Sequence, residues 1–412
     1  MKHKDNKKLI FLSVLVAALG YFVVIYDLLL FSIVRIPSLK DLGITDPSEL
    51  KSLGLTLLGW QMRGMLIGGI LWGVLGDKKG RLSVLFGSIL LYSIANICNG
   101  FVQTVEQYKW LRLIAGIGLA GELGAGITLV SEIMSKEKRG YGTTIVATIG
   151  IMGAIMAYWI SRIWDWRSAY FVGGGLGLAL LIMRMSVFET GMFKKMLTSN
   201  VEKGNFFKLF TDKTLLIKYI KCILVGFPTW FVVGILITLA PEFGKSFGMT
   251  EIPDAGLSVM WCYTGLTLGD LSSGLLSQVL KSRRKALIGF HLFSLATIFY
   301  YLLSHNISLP MFYFKVLIMG FGVGYWAVFV SNAAEQFGTN MRATVTTTVP
   351  NFARGMLDVI FRPLFMYFTV TLSLGNITTG IIIGVFTTVV AIITVYLMPE
   401  TYGKNLDYYE HI

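Results

Sequence analysis

Ionisable side chains interrupt the long apolar stretches of this sequence. The acids are Asp27, Glu122, Asp270 and Asp358, and the bases are Arg63, Arg112, Lys315, Arg354 and Arg362. A charge at the centre of a bilayer costs about 2.5–3.5 kcal/mol on insertion scales, so each group needs a partner or a wet cavity. A carboxyl group can take up and release a proton, and a guanidinium group matches a carboxylate. The sequence contains no nucleophile–base pair, phosphate loop or metal-ligand spacing, so neither an enzyme nor a resident metal is expected.

The elements that hold these residues are predicted to be membrane-spanning helices. The chain has 412 residues, of which 54% are hydrophobic and 14% charged, whereas soluble domains carry about 25% charged residues. Apolar stretches of roughly 20 residues match a helix that crosses a bilayer, and backbone groups in lipid must pair within the helix. Twelve spans are predicted, near residues 9–34, 52–76, 82–103, 108–131, 141–161, 168–187, 215–240, 255–280, 286–303, 309–332, 343–370 and 375–398.

Positive charge alternates between the loops. Lysine and arginine collect in the N-terminal segment and in the loops that follow the even-numbered spans. The positive-inside rule therefore predicts that both termini are cytoplasmic. The net charge of +13 is explained by this topology, so no nucleic-acid partner is expected. The three cysteines lie in or near apolar stretches and indicate no disulfide framework.

A repeat divides the chain into two halves. Charged positions recur at an offset of about 203 residues, namely Arg112, Glu132 and Arg139 against Lys315, Glu335 and Arg342, with Arg81 against Arg284. Duplicated bundles are typical of secondary transporters, whose sites lie near the midplane between the repeats. The predicted fold is an all-α membrane protein of two pseudo-symmetric six-helix bundles, residues 1–187 and 215–412, joined by a cytoplasmic linker at 188–214.

Four stretches resemble the major facilitator superfamily. GDKKGR (Gly76 to Arg81) resembles its loop between spans two and three, and RLIAGIGLAGELGAG resembles its span-four motif. SEIMSKEKRG and PETYGKNL resemble its sugar-porter and metabolite–proton symporter branches. The resemblance covers essentially the whole chain and implies a transporter that works by alternating access. Two features depart from it: the second-half counterpart of GDKKGR is LKSRRK, which lacks the acid, and span five lacks the glycine–proline pattern of drug–proton antiporters.

Charged residues at the cytoplasmic ends of the spans are predicted to form a gate. The members are Asp77, Arg81, Glu132 and Arg139 in the first half and Arg284, Glu335 and Arg342 in the second. Ion pairs among them would hold the cytoplasmic ends closed and would have to break for inward opening, so each is expected to contribute at most about a few kcal/mol. The alternative is that these residues only anchor the loops.

Two acids are candidate proton carriers. Asp27 in span one and Arg112 in span four lie at similar predicted depths, within a few Å at ~1.5 Å per residue. The resemblance to sugar porters implies that they form a proton-coupling pair, and a static pair that joins two helices is the alternative. Glu122, about 15 Å deeper, is the second candidate, with pairing to Arg63 or to a backbone donor as its alternative. The proton is the expected coupling ion, and no cofactor is expected.

Substrate binding is assigned to spans two, ten and eleven. The candidate residues are Trp60, Gln61, Arg63, Trp326, Asn351, Arg354, Asp358 and Arg362. The last three are spaced four apart and are predicted to share one helix face, with a neutralised ladder that supports packing as the alternative. Arg63 has no acid in its own span and could be satisfied by Asp358, Asp27, Glu122 or a substrate carboxylate. The aromatic residues alone are more typical of packing or of interface belts.

These observations predict a monomeric inner-membrane transporter that moves a small polar metabolite together with protons. Arg63 favours an organic acid, an amino acid or a zwitterionic osmolyte, and a sugar is the alternative. Efflux of a hydrophobic or siderophore-like compound is a further alternative, against which the missing proline of span five argues. A non-transporting receptor is the last, and the retained pairs Asp27–Arg112 and Asp77–Arg81 argue against it.

Overall fold

The computed structural model describes residues 2–135, 138–183 and 204–410. The first half contains six helices: α1 (Lys2–Asp41), α2 (Pro47–Lys79), α3 (Arg81–Asn99), α4 (Val105–Ile133), α5 (Arg139–Ile151, continued as Gly153–Ile163) and α6 (Trp166–Met183). Most of the predicted linker, residues 188–203, lies outside the described residues.

The second half also contains six long elements, several of which are built from shorter segments. They are α7 (Lys213–Val225, Phe227–Phe231 and the π-helical turn Val232–Ile237), α8 (Ala255–Val279), α9 (Arg283–Leu302), α10 (Leu309–Gly322 and Trp326–Gln336), α11 (Thr339–Met356, the π-helical turn Leu357–Phe361, Arg362–Met366 and the π-helical turn Tyr367–Thr371) and α12 (Asn376–Tyr396). Two short helices, Lys208–Thr211 and Ala240–Ser246, flank α7.

Each of the twelve predicted spans falls on one of these elements. Among the described residues, eight helices are long and apolar enough to cross a membrane, and the two arms of α7, bent by 43°, form a ninth candidate. The three elements that fall short are α2, α8 and α11. They carry Arg63, Asp270 and Arg354, so the more polar helices are also those that hold candidate site residues.

Side-chain caps set where several helices begin. Asp46 accepts a hydrogen bond from the backbone N–H of Glu49 at 2.9 Å, and Pro47 occupies the first turn of α2. Thr104 accepts one from Gln107 at 3.2 Å at the start of α4. The first N–H groups of a helix lack partners within the helix, so these side chains stabilise its start.

Glycines bring helices into backbone contact at equivalent places in the two halves. A Cβ atom on Gly116 of α4 would collide with the carbonyl oxygen of Gln61 in α2. A Cβ atom on Gly320 of α10 would collide with the carbonyl oxygen of Cys262 in α8. Glycine at these positions permits the close approach of α2 to α4 and of α8 to α10.

The two halves meet along α5 and α11. Helix α11 contacts α2 and α4, while α5 contacts α8 and the second segment of α10. The end of the bundle where α2 and α4 end and α11 begins is called the basic end below, because the lysine- and arginine-rich loops lie there. The opposite end is called the far end. The interface between the halves runs from one end to the other and positions the candidate site.

Candidate functional site

A small chamber lies between the two halves, deep in the interface. Its volume is ≈ 20 Å³. Its wall combines residues of α1, α5, α7, α8, α10 and α11, namely Tyr21, Ile25, Ile151, Thr229, Trp230, Tyr263, Leu266, Trp326 and Arg354. Arg354 is the one charged member of this wall. The chamber is narrow, with room for about one water molecule between the side chains that line it.

Arg354 is held in the chamber by neutral groups. Its guanidinium carbon lies 5.5 Å from the ring centroid of Trp230 and 5.2 Å from that of Trp326. Its Nη2 donates to the Tyr21 hydroxyl at 3.1 Å, and its Nη1 donates to Oδ1 of Asn351 at 3.2 Å. The residue is 1% exposed.

The charge of Arg354 has no acidic partner within ion-pair distance among the described residues. Its Nε, and also Nε1 of Trp230, are buried donors without an acceptor there. Burying an uncompensated cation is costly, and the two indole rings offset that cost only in part. The chamber therefore offers a cation and free donors to an anion, flanked by two aromatic faces.

Asp270 positions one of these aromatic walls. Helix α10 is interrupted before Trp326, and Oδ1 of Asp270 accepts a hydrogen bond from the backbone N–H of Ala327 at 2.7 Å. The carboxylate thus caps the second segment of α10. Lys315 does not pair with Asp270 and instead donates to the Tyr300 carbonyl at 2.8 Å and to Ser304 at 2.9 Å.

Asp27 and Arg112 are brought together, but not as a side-chain ion pair. Nη2 of Arg112 reaches the backbone carbonyl of Asp27 at 3.5 Å, and Nη1 donates to the Tyr170 hydroxyl at 3.3 Å. Both carboxyl oxygens of Asp27 are buried without a hydrogen-bond partner among the described residues. Gly173 of α6 lies directly against this carboxyl, where a Cβ atom would collide with it.

The other polar candidates take separate places. Glu122 is buried in α4 and has an interaction partner, so it is not an isolated acid. Gln61 donates to the Leu28 carbonyl at 3.3 Å and joins α2 to α1 inside the first half, away from the chamber wall. Asn351 donates to the Ala120 carbonyl at 2.9 Å and accepts from Arg354. Asn351 therefore positions the guanidinium across the interface between the halves.

The predicted single charged face on span eleven is wrong. A π-helical turn, Leu357–Phe361, begins after Arg354 and contains Asp358, and Arg362 follows it. Because a π-helical turn is wider than an α-helical one, these two side chains leave the helix in a different direction from Arg354. Asp358 accordingly points to α2, where its Oδ2 accepts from Nε of Arg63 at 3.0 Å. Its Oδ1 accepts from Arg362 at 3.1 Å.

Trp60 also lies outside the chamber, contrary to its assignment to the central cavity. Its ring packs edge-on against Trp110, with a centroid distance of 4.8 Å. The ammonium group of Lys109 lies 4.5 Å from the Trp60 ring. This aromatic and basic cluster is on the outer side of α2 and α4, and it is typical of a membrane-interface belt.

At the basic end, charged residues pair across the two halves. Arg342 of α11 donates to Glu132 of α4 at 3.2 Å, and both side chains are fully buried. Arg139 of α5 donates to Glu335 of α10 at 2.9 Å, and both are again almost fully buried. Each arginine thus pairs with the glutamate of the other half. Hydroxyl pairs extend the contact, with Thr128 and Thr346 at 2.6 Å.

Arg283, rather than the predicted Arg284, completes this cluster. Its Nη2 donates to Glu335 at 3.1 Å, so that one carboxylate is shared by two arginines. Arg284 points away and donates to the Tyr396 carbonyl at 2.8 Å. The N-terminus of α9 is fixed by Glu400, which accepts from the backbone of Arg283 and Arg284 and from Ser282. Burial raises the pKa of Glu400, but these hydrogen bonds outweigh it and hold that pKa below its usual range.

Asp77 joins the first half to the start of α11. Its carboxylate is fully buried and accepts from the backbone N–H groups of Ala343 at 3.1 Å and of Thr344 at 2.8 Å. The Thr344 hydroxyl adds a third hydrogen bond at 2.7 Å. The side chain of Arg81, the other predicted member at this loop, lies outside the described residues.

The C-terminal segment packs against the same cluster. The carbonyl of Leu406 accepts from Arg342 at 2.6 Å and from Thr339 at 3.1 Å. Glu410 pairs with Lys218 at 2.8 Å. The guanidinium that joins α11 to Glu132 is therefore also held by the segment that follows α12.

Removing residues 406–412 is expected to weaken closure at the basic end. A hydrogen bond to a charged group contributes about 1.5–3 kcal/mol, so loss of the Leu406 carbonyl should favour opening by about tenfold or more. The measurement is the rate at which a thiol reagent labels a cysteine placed at Thr346 in a cysteine-free background. Truncation after Glu410 is the control, and equal labelling of the two truncations would contradict the prediction.

Sequence reasoning did not assign roles to Tyr21, Tyr263 or Arg283. The two tyrosines stand in apolar stretches, where a hydroxyl that faces a chamber looks the same as one that faces lipid. The repeat offset does not indicate Arg283, because it aligns Arg81 with the neighbouring Arg284. Ser282 is a capping residue type, and it caps α9 so that Arg283 is the first residue of that helix.

The fold and the site define a class of protein: a membrane transporter whose two halves enclose a chamber and are joined by buried ion pairs at one end. Comparison with known families is specific. The model of the Major Facilitator Superfamily matches residues 10–356, and the chain belongs to this superfamily. The predicted fold class is thereby confirmed, and the protein is a multi-pass membrane transporter of small molecules and not an enzyme.

Individual relatives agree with this assignment. A protein of Haemophilus influenzae with the provisional name metabolite transport protein is 27% identical over 406 residues, which cover 95% of this chain and 96% of that protein. A protein of Bacillus subtilis, provisionally named niacin/nicotinamide transporter NiaP, is 26% identical over 83% of each chain. The solved structure of the proton:xylose symporter XylE matches with a TM-score of 0.78, 17% identity and 98% coverage of each chain, a likeness of fold.

Proposed function

We propose that this protein imports a small carboxylate-bearing metabolite across the inner membrane together with protons. The observation that carries the proposal is Arg354, a buried cation without an acidic partner among the described residues. A carboxylate bound there would supply the missing counter-charge and accept from the planar guanidinium. Trp230 and Trp326 would pack on the apolar or aromatic body of the substrate.

Alternating access follows from the ion pairs at the basic end. We propose that this end is cytoplasmic, as the distribution of lysine and arginine predicts. The pairs Glu132–Arg342 and Glu335–Arg139 join opposite halves, so they must separate when the chamber opens to the cytoplasm. The described conformation, whose basic end is held by these pairs, is then a state on the transport path in which the chamber is closed to the cytoplasm.

A carboxylate is favoured over the alternative of a sugar by the chemistry of the chamber wall. Sugar recognition requires several side-chain donors and acceptors that pair with hydroxyl groups. The residues that line the chamber include no carboxylate or amide side chain, and the hydroxyls of Tyr21 and Thr229 are already bonded to Arg354 and to the Val323 carbonyl. The nearby amide of Asn351 bonds Ala120 and Arg354. The relative named for niacin and nicotinamide transport suits this proposal, because niacin is an aromatic ring with one carboxylate.

Thermal shift and uptake measurements test the class of substrate. Purified protein should be stabilised by niacin, with ring and carboxylate, more than by nicotinamide, its neutral amide, or by xylose, because only ligands that bind the folded state raise the melting temperature. The same order is expected for uptake into proteoliposomes. Stabilisation by the sugar without any by carboxylates would overturn the proposal.

Asp27 is proposed as the proton carrier. Its carboxyl group is buried and accepts no hydrogen bond from the described residues, while Arg112 is held nearby by Tyr170. A movement of α1 against α4 that brings Arg112 onto the carboxyl, or takes it away, would change its affinity for a proton. Conformation and protonation are thereby linked.

Asp27→Asn is expected to abolish uphill accumulation and to preserve exchange. An amide cannot release a proton, so a pH gradient should no longer concentrate substrate, and accumulation should fall at least about tenfold. Counterflow exchange, which needs no net proton movement, should remain. Asp41→Asn is the matched control, since Asp41 lies on the same helix in an exposed pair with Arg167. Accumulation that persists in Asp27→Asn would refute the role.

A further inference from the structure

A larger cavity opens beside the chamber, between the two halves. Its volume is ≈ 220 Å³, about ten times that of the chamber. Residues of α2, α7, α11 and α12 line it, and most of them are apolar, with Asp358, Arg362, Thr369 and Asn376 as the polar members. It is large enough for a small organic molecule, and the candidate roles described above leave it without a function.

Asp358 and Arg362 line this cavity, and Arg63 adjoins it through its ion pair with Asp358. Asp358 has a side chain only 9% exposed and bridges Arg63, which is 53% exposed, and Arg362, which is 32% exposed. The bridge uses one nitrogen of each guanidinium, whereas each group has five N–H donors. Gly59 permits this arrangement, since a Cβ atom there would lie 2.7 Å from Oδ1 of Asp358. The cluster carries a net positive charge and presents unused donors at its exposed side.

The cluster lies farther from the basic end than Arg354, because Asp358 and Arg362 follow Arg354 along α11. Arg63 precedes Asp77 on α2 by about 14 residues, which places it about 21 Å from the contact of Asp77 with α11. In the proposed orientation this is the periplasmic side. A substrate that arrives from the periplasm therefore meets the cluster before it meets Arg354.

A series of cavities leads from this cluster to the chamber. The large cavity shares Leu58, Met62, Gly234 and Leu357 with a narrow one of ≈ 10 Å³. The narrow cavity in turn shares Trp230 with the chamber. The shared residues form a constriction, where the side chain of Leu357 lies directly against Gly234. A modest movement of α7 or α11 at this point would connect the two larger spaces.

We infer that the large cavity is a vestibule site that takes up the carboxylate of the substrate before it reaches Arg354. Arg63 and Arg362 bind the anion, and the apolar lining receives its body. Asp358 bridges the two arginines and fixes their positions. Its negative charge also lowers the net positive charge of the cluster, so that the anion is bound only briefly. This inference rests on the proposed function, because it assumes an anionic substrate.

Three substitutions test the vestibule by the sign of their effects on KM. Arg63→Gln and Arg362→Gln remove one cation each and are expected to raise the KM for niacin uptake about three- to tenfold, whereas Asp358→Asn, which removes the anion, is expected to lower it. If the protein transports neutral nicotinamide, its KM should not rise in the arginine variants or fall in Asp358→Asn. Lys40→Gln, an exposed cation of the far end, is the control for long-range charge and should leave KM unchanged. Equilibrium binding to Arg354, seen by thermal shift, should persist in all four variants.

Other outcomes would overturn the inference in distinguishable ways. If the cluster only joins the halves, Arg63→Gln and Asp358→Asn both break the same pair and would change KM in the same direction. If a phospholipid headgroup occupies the cavity, the effects would vanish in vesicles made from neutral lipids alone. Wild-type protein that neither binds nor transports carboxylates would refute the proposed function itself, whereas equal KM values in an active wild type and its variants would refute the vestibule alone.

Discussion

Replacing Arg354 with glutamine is expected to reduce carboxylate uptake by at least about 100-fold. Two charge-assisted hydrogen bonds to a guanidinium contribute about 1.5–3 kcal/mol each, and glutamine offers neither the charge nor the fork. The chamber should nevertheless stay folded, because the substitution removes a buried cation that has no counter-ion among the described residues. The measurement pairs initial uptake rates with the melting temperature of the purified variant. Substrate should raise that temperature in the wild type and not in the variant.

Two further variants sharpen this test. Arg354→Lys keeps the charge but loses the planar group that lies between Trp230 and Trp326, so it should restore only part of the activity. Arg162→Gln removes an arginine whose side chain is 55% exposed at the far end, and it should behave like the wild type. Carboxylate uptake by Arg354→Gln at the wild-type rate would contradict the prediction and show that Arg354 does not bind the substrate carboxylate.

Helix α11 links the three functional regions of the molecule. Its first turn holds Arg342 and donates hydrogen bonds to Asp77, and its middle holds Arg354. The π-helical turn Leu357–Phe361 holds Asp358, and the segment after it begins with Arg362. The amide of Asn351 ties the same helix to α4 in the other half. A shift of α11 that frees Arg342 would therefore also move Arg354, so substrate binding and opening at the basic end can be coupled through one element.

The helices, and the positions of the charged residues at their basic ends, could be predicted because each depends only on the sequence of one helix. Apolar length locates each span, and the recurrence of Glu132 and Arg139 as Glu335 and Arg342 marks equivalent ends of the two halves. The depth of Asp27 relative to Arg112 also follows from helix rise alone. All of these inferences require only distance along one helix.

The partners of these residues could not be predicted, because they depend on packing between helices that are distant in sequence. Arg342 pairs with Glu132 and not with Glu335 of its own half, and no spacing in the sequence distinguishes the two. The π-helical turn in α11 gives no recognisable signal, yet it moves Asp358 away from Arg354 and toward Arg63. The carboxylate hypothesis therefore rests on a different residue. Arg63, which suggested it, pairs with Asp358, whereas Arg354 lines the chamber and has no acidic partner among the described residues.

Replacing Glu335 with glutamine is expected to favour the state that is open at the basic end by about 100-fold or more. Arg139 and Arg283 share this buried carboxylate, and removing one partner of a buried pair costs about 3–5 kcal/mol. The loss of the Arg139 pair falls on the closed state alone, because Arg139 lies in the first half and is already separated from Glu335 when the halves part, whereas Arg283 lies in the same half as Glu335. The rate of thiol labelling of a cysteine at Thr346 should rise accordingly, and uptake should fall because the resting protein no longer faces the far end.

The matched control distinguishes a gate from a simple anchor. Glu106→Gln breaks an ion pair with Lys109 in which the glutamate side chain is 63% exposed. Because an exposed pair contributes little, the labelling rate at position 346 should change by less than about fivefold. Glu132→Gln removes the reciprocal carboxylate and should reproduce the effect of Glu335→Gln, because each glutamate joins the two halves. If Glu335→Gln lowers the melting temperature but leaves labelling at the rate of the control, the cluster anchors the helix ends in every state, and opening at the basic end is governed by other contacts.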